Sequence, residues 1–167
     1  MLISDYCLLN TDGVSAIMVQ RYTCHWGDYT ISTDPARLDL ALVHEFLSQR
    51  AYWSRGIPYE VFARSVEHSL SFGVYFDRRQ VGFARVITDY ATFAYIGDVF
   101  ILEEYRRRGL GKWLMECMKD HPDLQGLRRW MLATRDAHSL YSQFGFEPLS
   151  HPERIMEIFD PEVYTNS

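Results

Sequence analysis

The feature that most constrains this chain is a junction. An apolar, β-branched and aromatic run from Tyr95 to Leu102 passes through a basic, glycine-bearing turn straight into a helix. The helix is legible from its spacing: Leu110, Trp113, Leu114, Cys117 and Met118 recur at i, i+3, i+4, i+7 and i+8, which is one face of a 3.6-residue period. His121-Pro122 ends it. A second strand-like stretch, LRRWMLAT, follows at residues 127–134. Two strands joined by a helix crossover lie parallel in one sheet, so purely helical and purely antiparallel folds are excluded.

The residues before this junction predict a different neighbourhood. SFGVYFD, QVGFARVIT and TFAYIGDVFIL are separated by turns at Arg78-Arg79 and Asp89-Tyr90-Ala91, which is the pattern of an antiparallel meander. Upstream, Tyr22 to Ser32 reads as one strand. Asp34-Pro35 supplies an N-cap and a first-turn proline for a helix running to about Gln49. A second helix is expected from Pro58 to Leu70, with Tyr59, Phe62, Ala63, Val66 and Leu70 on its apolar face. Downstream, Ala137, Leu140, Tyr141 and Phe144 mark a helix stopped by Gly145. FEPL and RIMEIF then read as closing strands. The expected class is α+β: a mixed, mostly antiparallel central sheet flanked by about four helices, with its parallel pair around the helix after Gly109. Residues 1–21 read as an N-terminal extension and 22–167 as one domain.

Charge narrows the function. With 17 Lys and Arg against 22 Asp and Glu, the net charge is −5, which disfavours a nucleic-acid partner for the chain as a whole. Anion binding must therefore be local, and Arg106, Arg107 and Arg108 are where positive charge is densest. The three cysteines, Cys7, Cys24 and Cys117, have no CxxC or metal-ligand spacing, and the six histidines have none either. No metal is expected. The first twenty residues lack a signal-peptide pattern, and no run approaches the roughly 18 apolar residues of a membrane span. The sequence reads as cytoplasmic, with free thiols and no membrane partner.

A helix start leaves free N–H groups and carries about half a positive charge, which suits a phosphate. Gly109 and Gly111 allow close backbone approach. Taken alone, the turn is weak evidence for an anion site and suits a plain solvated basic loop better. It matches neither the lysine loop of nucleoside triphosphatases nor the Gly-x-Gly-x-x-Gly fingerprint.

DVFILEEYRRRGLGKWLM resembles the acetyl-CoA motif of the GNAT superfamily of N-acetyltransferases, and AHSLYSQFGFEPL resembles their later tyrosine-bearing motif. The resemblance spans roughly Tyr22 to Phe159 and includes the order of elements. It implies that the backbone of Val99, Phe100 and Ile101 binds the pantetheine arm of acetyl-CoA. It also implies that the turn holds the pyrophosphate, with backbone amides from Arg107 to Lys112 (Arg107, Arg108, Gly109, Leu110, Gly111, Lys112) and Arg106 beside them. Tyr141 corresponds to a tyrosine near the coenzyme sulfur, although its place beside Leu140 and Phe144 also suits a core residue. Two positions depart from the family pattern. Glu103 stands where proline is frequent, and Thr134 where an asparagine often contacts the cofactor arm, a contact that Asp136 would have to supply instead.

The implied reaction is direct acetyl transfer to an amine of a small molecule or a protein. Asp98 has two readings, a base for that amine or a structural carboxylate holding a neighbouring loop. Tyr52 and Trp53, with Arg55, are candidates for the acceptor wall, as are the Tyr90 region and the C-terminal strands. An exposed strand edge or aromatic patch would support a homodimer. The competing reading is a non-catalytic acyl-CoA sensor on the same fold.

Overall fold

The computed structural model, which describes residues 21–164, is organised on one sheet whose six strands are hydrogen-bonded in chain order. They are β1 (Thr23–Trp26), β2 (Tyr29–Ser32), β3 (Leu70–Phe76), β4 (Arg79–Thr88), β5 (Phe93–Ile101) and β6 (Arg129–Leu132). Every neighbouring pair is antiparallel except β5 and β6, which run parallel as the crossover requires. The helices are α1 (Leu40–Glu45), α2 (Tyr59–Glu67), α3 (Leu110–Lys119) and α4 (His138–Tyr141).

Several boundaries differ from the sequence expectation. The stretch from Tyr22 to Ser32 is a hairpin, because Gly27 takes a left-handed φ of 56° and folds β1 back on β2. Asp34 does cap, accepting from the Ala36 amide at 3.1 Å, but only for a single 3-10 turn. A second aspartate, Asp39, accepts from the Leu42 amide at 3.0 Å and starts α1. The chain then widens into a π-helical turn, Phe46–Arg50. Leu70 belongs to β3 rather than to α2. The β3–β4 turn sits one residue earlier than expected, with Asp77 at φ 53°.

The closing strands are absent. Neither residues 146–149 nor residues 154–159 join a ladder. Strand-like composition does not provide a partner, and without one the side chains of Met156, Ile158 and Phe159 stand exposed.

Side chains leave the sheet alternately on two sides, and each side has a core. Phe83 and Phe100 face Val43, Phe46, Leu47 and Phe62 of the first two helices. The rings of Phe46 and Phe100 stack at 3.8 Å and 9°. Ala84, Val86 and Ile101 face the other side, where α3 buries Leu110, Leu114, Met115, Cys117 and Met118. The helix face anticipated from sequence spacing is therefore the one that packs, and it fixes the helix start against the end of β5.

Candidate functional site

Two irregularities open the end of β5. β6 pairs with Phe93, Ala94, Tyr95 and Ile96 and no further, so the remainder of β5 has no ladder on that edge among the described residues. On its other edge the register against β4 slips between Phe83 and Arg85. The cause is Asp98, whose φ of 56° inserts an extra residue and bulges the strand. Val99, Phe100 and Ile101 lie just past this bulge, where peptide groups without a strand partner turn to water or to a ligand.

The chain then makes one 3-10 turn, Glu103–Tyr105, and reaches the arginines. Arg107 takes a left-handed φ of 60° and Gly109 one of 84°. Gly109 is the N-cap of α3, and no side chain caps it. The first helical bond runs from the Trp113 amide to the Gly109 carbonyl at 3.1 Å, so the amides ahead of it point out of the helix end. A Cβ on Gly109 would lie 3.0 Å from the Trp26 ring, so both conformation and space call for glycine there. Gly111 is under less constraint, since a Cβ would meet only Leu140 at 3.9 Å.

The three arginines divide their work. Arg106 donates through Nε to the Ile101 carbonyl at 2.9 Å, tying the turn back to β5. Arg108 donates to the Glu104 carbonyl at 2.9 Å and to the Tyr29 hydroxyl at 3.1 Å, with its guanidinium 5.2 Å from the centre of the Tyr105 ring. Both brace the loop as well as charging it. Among the described residues no such side-chain bond holds Arg107, whose backbone is left-handed two residues before the helix N-cap. The geometry fits a pyrophosphate: uncapped amides, a basic rim and a glycine where a side chain would intrude.

Tyr141 ends α4 and is 8% exposed, within the core cluster on the α3 side of the sheet. Burial, reinforced by the neighbouring Tyr52, Asp136 and Tyr95, pushes its phenol up to about 12. The hydroxyl thus stays protonated throughout the neutral range. Thr134 Oγ1 accepts from the Ala137 amide at 3.0 Å, which shapes the turn before α4. Asp136 is exposed and pairs with Arg135 at 3.4 Å.

The loop between α1 and α2 carries Tyr52 and Trp53. Trp53 donates through Nε1 to Asp98 Oδ1 at 3.0 Å, while Arg85 Nε donates to Oδ2 at 2.7 Å and its NH1 to Ser69 at 3.1 Å. Both carboxylate oxygens of Asp98 are thus engaged. Tyr52 accepts from the Arg135 amide at 3.2 Å and lies under the Arg135 guanidinium at 3.8 Å. One loop therefore touches the β5 bulge and the turn before α4 together. Sequence reasoning named Asp98, Tyr52 and Trp53 but missed Arg85 and Arg135. A lone arginine inside a strand pattern, as in GFARVIT, signals a buried carboxylate partner without saying which one.

Tyr90 lies away from this opening. It helps line a cavity of about 640 Å³ at the other end of β3 and β4, with Ser69, Ser71 and Thr88. Among the described residues no group of three or more His, Cys, Asp or Glu is placed to hold a metal ion. No helix there is long and apolar enough to cross a membrane.

Comparison with known proteins converges on one description. A family model for the "Acetyltransferase (GNAT) domain" matches residues 67–148, which contain the bulge, the turn and Tyr141. The chain is 34% identical over 139 residues to a Gibberella zeae protein named "Putative acetyltransferase", covering 70% of this chain and 77% of that one. It is 52% identical to a Xanthomonas campestris crystal structure described as a "putative acetyltransferase belonging to the gnat family", with a TM-score of 0.80, covering 82% of this chain and 96% of that chain. The ribosomal-protein-S18-alanine N-acetyltransferase of Escherichia coli shares the fold at a TM-score of 0.58 and 24% identity, over 73% of this chain and 79% of that chain.

Proposed function

The chain belongs to the GNAT family of acetyltransferases, and from that premise we propose that it transfers an acetyl group from acetyl-CoA directly to a primary amine of a small molecule or a protein. The observation that supports this reading is the uncapped start of α3 directly after the end of β5, whose edge beyond Ile96 has no β6 partner among the described residues.

In this reading the coenzyme supplies the thioester. The backbone of Val99, Phe100 and Ile101 holds its arm, and the amides from Arg107 to Lys112 hold its pyrophosphate. Each amide bond to a charged oxygen contributes about 1.5–3 kcal/mol, so a few suffice for binding. Arg106 and Arg108 act mainly by bracing the loop that aims those amides.

Tyr141 serves the leaving thiolate as a hydrogen-bond donor. With its phenol near 12 and a thiol near 8.5, complete proton transfer from Tyr141 to sulfur would be uphill by roughly 5 kcal/mol. Donating the bond while keeping the proton stabilises the developing charge, and the proton lost by the amine completes the thiol. That amine is the harder problem. At pH 7 an alkylamine is only about one part in 2,500 neutral, a deficit of roughly 4.6 kcal/mol. Asp98 is a carboxylate bonded to the acceptor wall, yet its oxygens already serve Arg85 and Trp53. Its proposed role is accordingly to fasten the wall. As a base it would have to exchange the Trp53 bond for the amine.

The engagement of both Asp98 oxygens also favours a second reading, an acyl-CoA sensor without turnover. One experiment separates the two. Calorimetric titration with acetyl-CoA and coenzyme A tests the socket, and a thiol-release assay over a panel of amines tests the chemistry. Saturable binding with amine-dependent thiol release supports the transferase. Binding without release over a broad panel supports the sensor, and absence of binding at millimolar ligand overturns both.

A further inference from the structure

Strand β1 and helix α3 meet through a ladder of three facing pairs. Tyr22, Cys24 and Trp26 alternate along one face of the chain through β1. Trp113, Cys117 and His121 follow one another at four-residue steps along α3 and just past its end. Trp26 packs edge-on against Trp113 at 5.7 Å between ring centres, and Tyr22 against His121 at 5.0 Å. Two strand residues advance about 6.7 Å and four helical residues about 6.0 Å, so consecutive pairs stay in step. The middle rung places Cys24 opposite Cys117, both in the core cluster that β1 and α3 share.

The two sulfurs are chemically unequal. Cys24 is half-buried at the surface end of the rung, whereas Cys117 is 3% exposed. The neighbouring Cys117 thiol lowers Cys24 to about 7, against the opposing effect of its own partial burial. The neighbouring Cys24, with burial, pushes Cys117 far up. Cys24 is therefore the nucleophile with access to solvent, and Cys117 is a protonated neighbour in contact with it.

We propose that Cys24 and Cys117 are a peroxide-oxidisable dithiol whose disulfide pins the β1–β2 hairpin to helix α3. A hydroperoxide is the oxidant. The Cys24 thiolate attacks its O–O bond, so an S–O bond forms, the O–O bond breaks, and hydroxide or alkoxide leaves to be protonated. The sulfur loses two electrons and the peroxide gains them. The Cys117 sulfur then attacks the resulting sulfenic acid. The S–S bond forms, the S–O bond breaks, and water departs with the Cys117 proton. The hairpin so fixed carries Trp26, which lies against Gly109 at the start of α3. The dithiol chemistry itself does not depend on whether that helix binds a coenzyme.

The test is oxidation of the reduced full-length chain with a few equivalents of hydrogen peroxide, followed by non-reducing peptide mass mapping. The expected product is a monomer lighter by about 2 Da with one cross-linked peptide pair containing Cys24 and Cys117. It should be reversed by dithiothreitol and formed equally in Cys7→Ser. Closing so long a loop should also raise Tm by roughly 5 °C or more. Cys24→Ser, at the more exposed position, should abolish the mass loss, and Cys117→Ala should leave Cys24 trapped at sulfenic or higher oxidation. The proposal is overturned if wild-type Cys24 accumulates as sulfinic acid while Cys117 stays alkylatable after unfolding. It is overturned equally by a disulfide involving Cys7 or a second chain, or by no reaction at millimolar peroxide.

Discussion

The proposed coenzyme side and the proposed acceptor side of the site are built in opposite ways. The first is made from one continuous stretch, the end of β5, the arginine turn and the start of α3, and it presents mostly backbone. The second is assembled by side chains from distant segments: Trp53 reaches Asp98 over 45 residues of sequence, and Tyr52 meets Arg135 over 83. Backbone amides at a helix start are the same whatever the surrounding side chains, so one turn can keep one ligand. A wall of side chains can change its acceptor by changing a few residues. The difference teaches where constancy and specificity reside in this molecule.

The most severe break should be on the backbone side. Gly109→Glu places a side chain at φ 84°, against Trp26, with a like charge at the phosphate position. Loss of two or more charge-assisted bonds predicts a fall in acetyl-CoA affinity on the order of 1,000-fold by calorimetry. A folded variant that kept its affinity would remove the pyrophosphate assignment.

Asp98 sits at the boundary between the two sides, since it belongs to β5 in sequence but holds the acceptor loop. Asp98→Ala strands Arg85, whose side chain is only 17% exposed, and should destabilise the fold by roughly 3 kcal/mol in urea unfolding. In Asp98→Asn we expect a raised acceptor KM with coenzyme affinity unchanged and the pH–rate profile unmoved. A profile that loses a limb would make Asp98 the base instead.

Tyr141→Phe tests the hydrogen bond to sulfur, and kcat should drop about 10- to 100-fold with coenzyme Kd unchanged. An unaffected kcat would assign Tyr141 to the core alone. Trp53→Phe keeps the ring and removes the donor to Asp98, so a stability loss of about 1 kcal/mol and a modest rise in acceptor KM are expected. Weakened coenzyme binding in that variant would blur the division between the two sides. The smallest effect on the fold belongs to Gly111→Ala. The protein leaves room for the methyl group, and alanine in a helix is preferred by up to about 1 kcal/mol, so thermal unfolding should show unchanged or higher stability. Any loss of acetyl-CoA affinity then reports the ligand's own closeness at that amide.

Much of the fold was legible because its signals are local. The i, i+3, i+4 spacing of Leu110 to Met118 identified both the helix and the face it buries, and a crossover helix obliges β5 and β6 to run parallel. Gly145 stops the chain after Tyr141 with a φ of 83°, as a helix-ending glycine does. Gly27 was a weaker cue, since it lay in a stretch whose composition continued as strand on both sides. The expectation failed outright at residues 154–159, where strand-like composition carried no information about a neighbour.

What the sequence determined by itself is the β5–turn–α3 junction proposed for the coenzyme, together with the order of elements that presents it. Helix periodicity, glycine conformation and the free amides of a helix start all follow from residues close in the chain. Only the tertiary structure decided that Asp98 bulges β5, that Arg85 and Trp53 divide its carboxylate, and that Cys24 meets Cys117. Those contacts join residues that no local rule relates. They exist because the strands pair in one register and the helices pack over them in one way, which the whole chain settles at once.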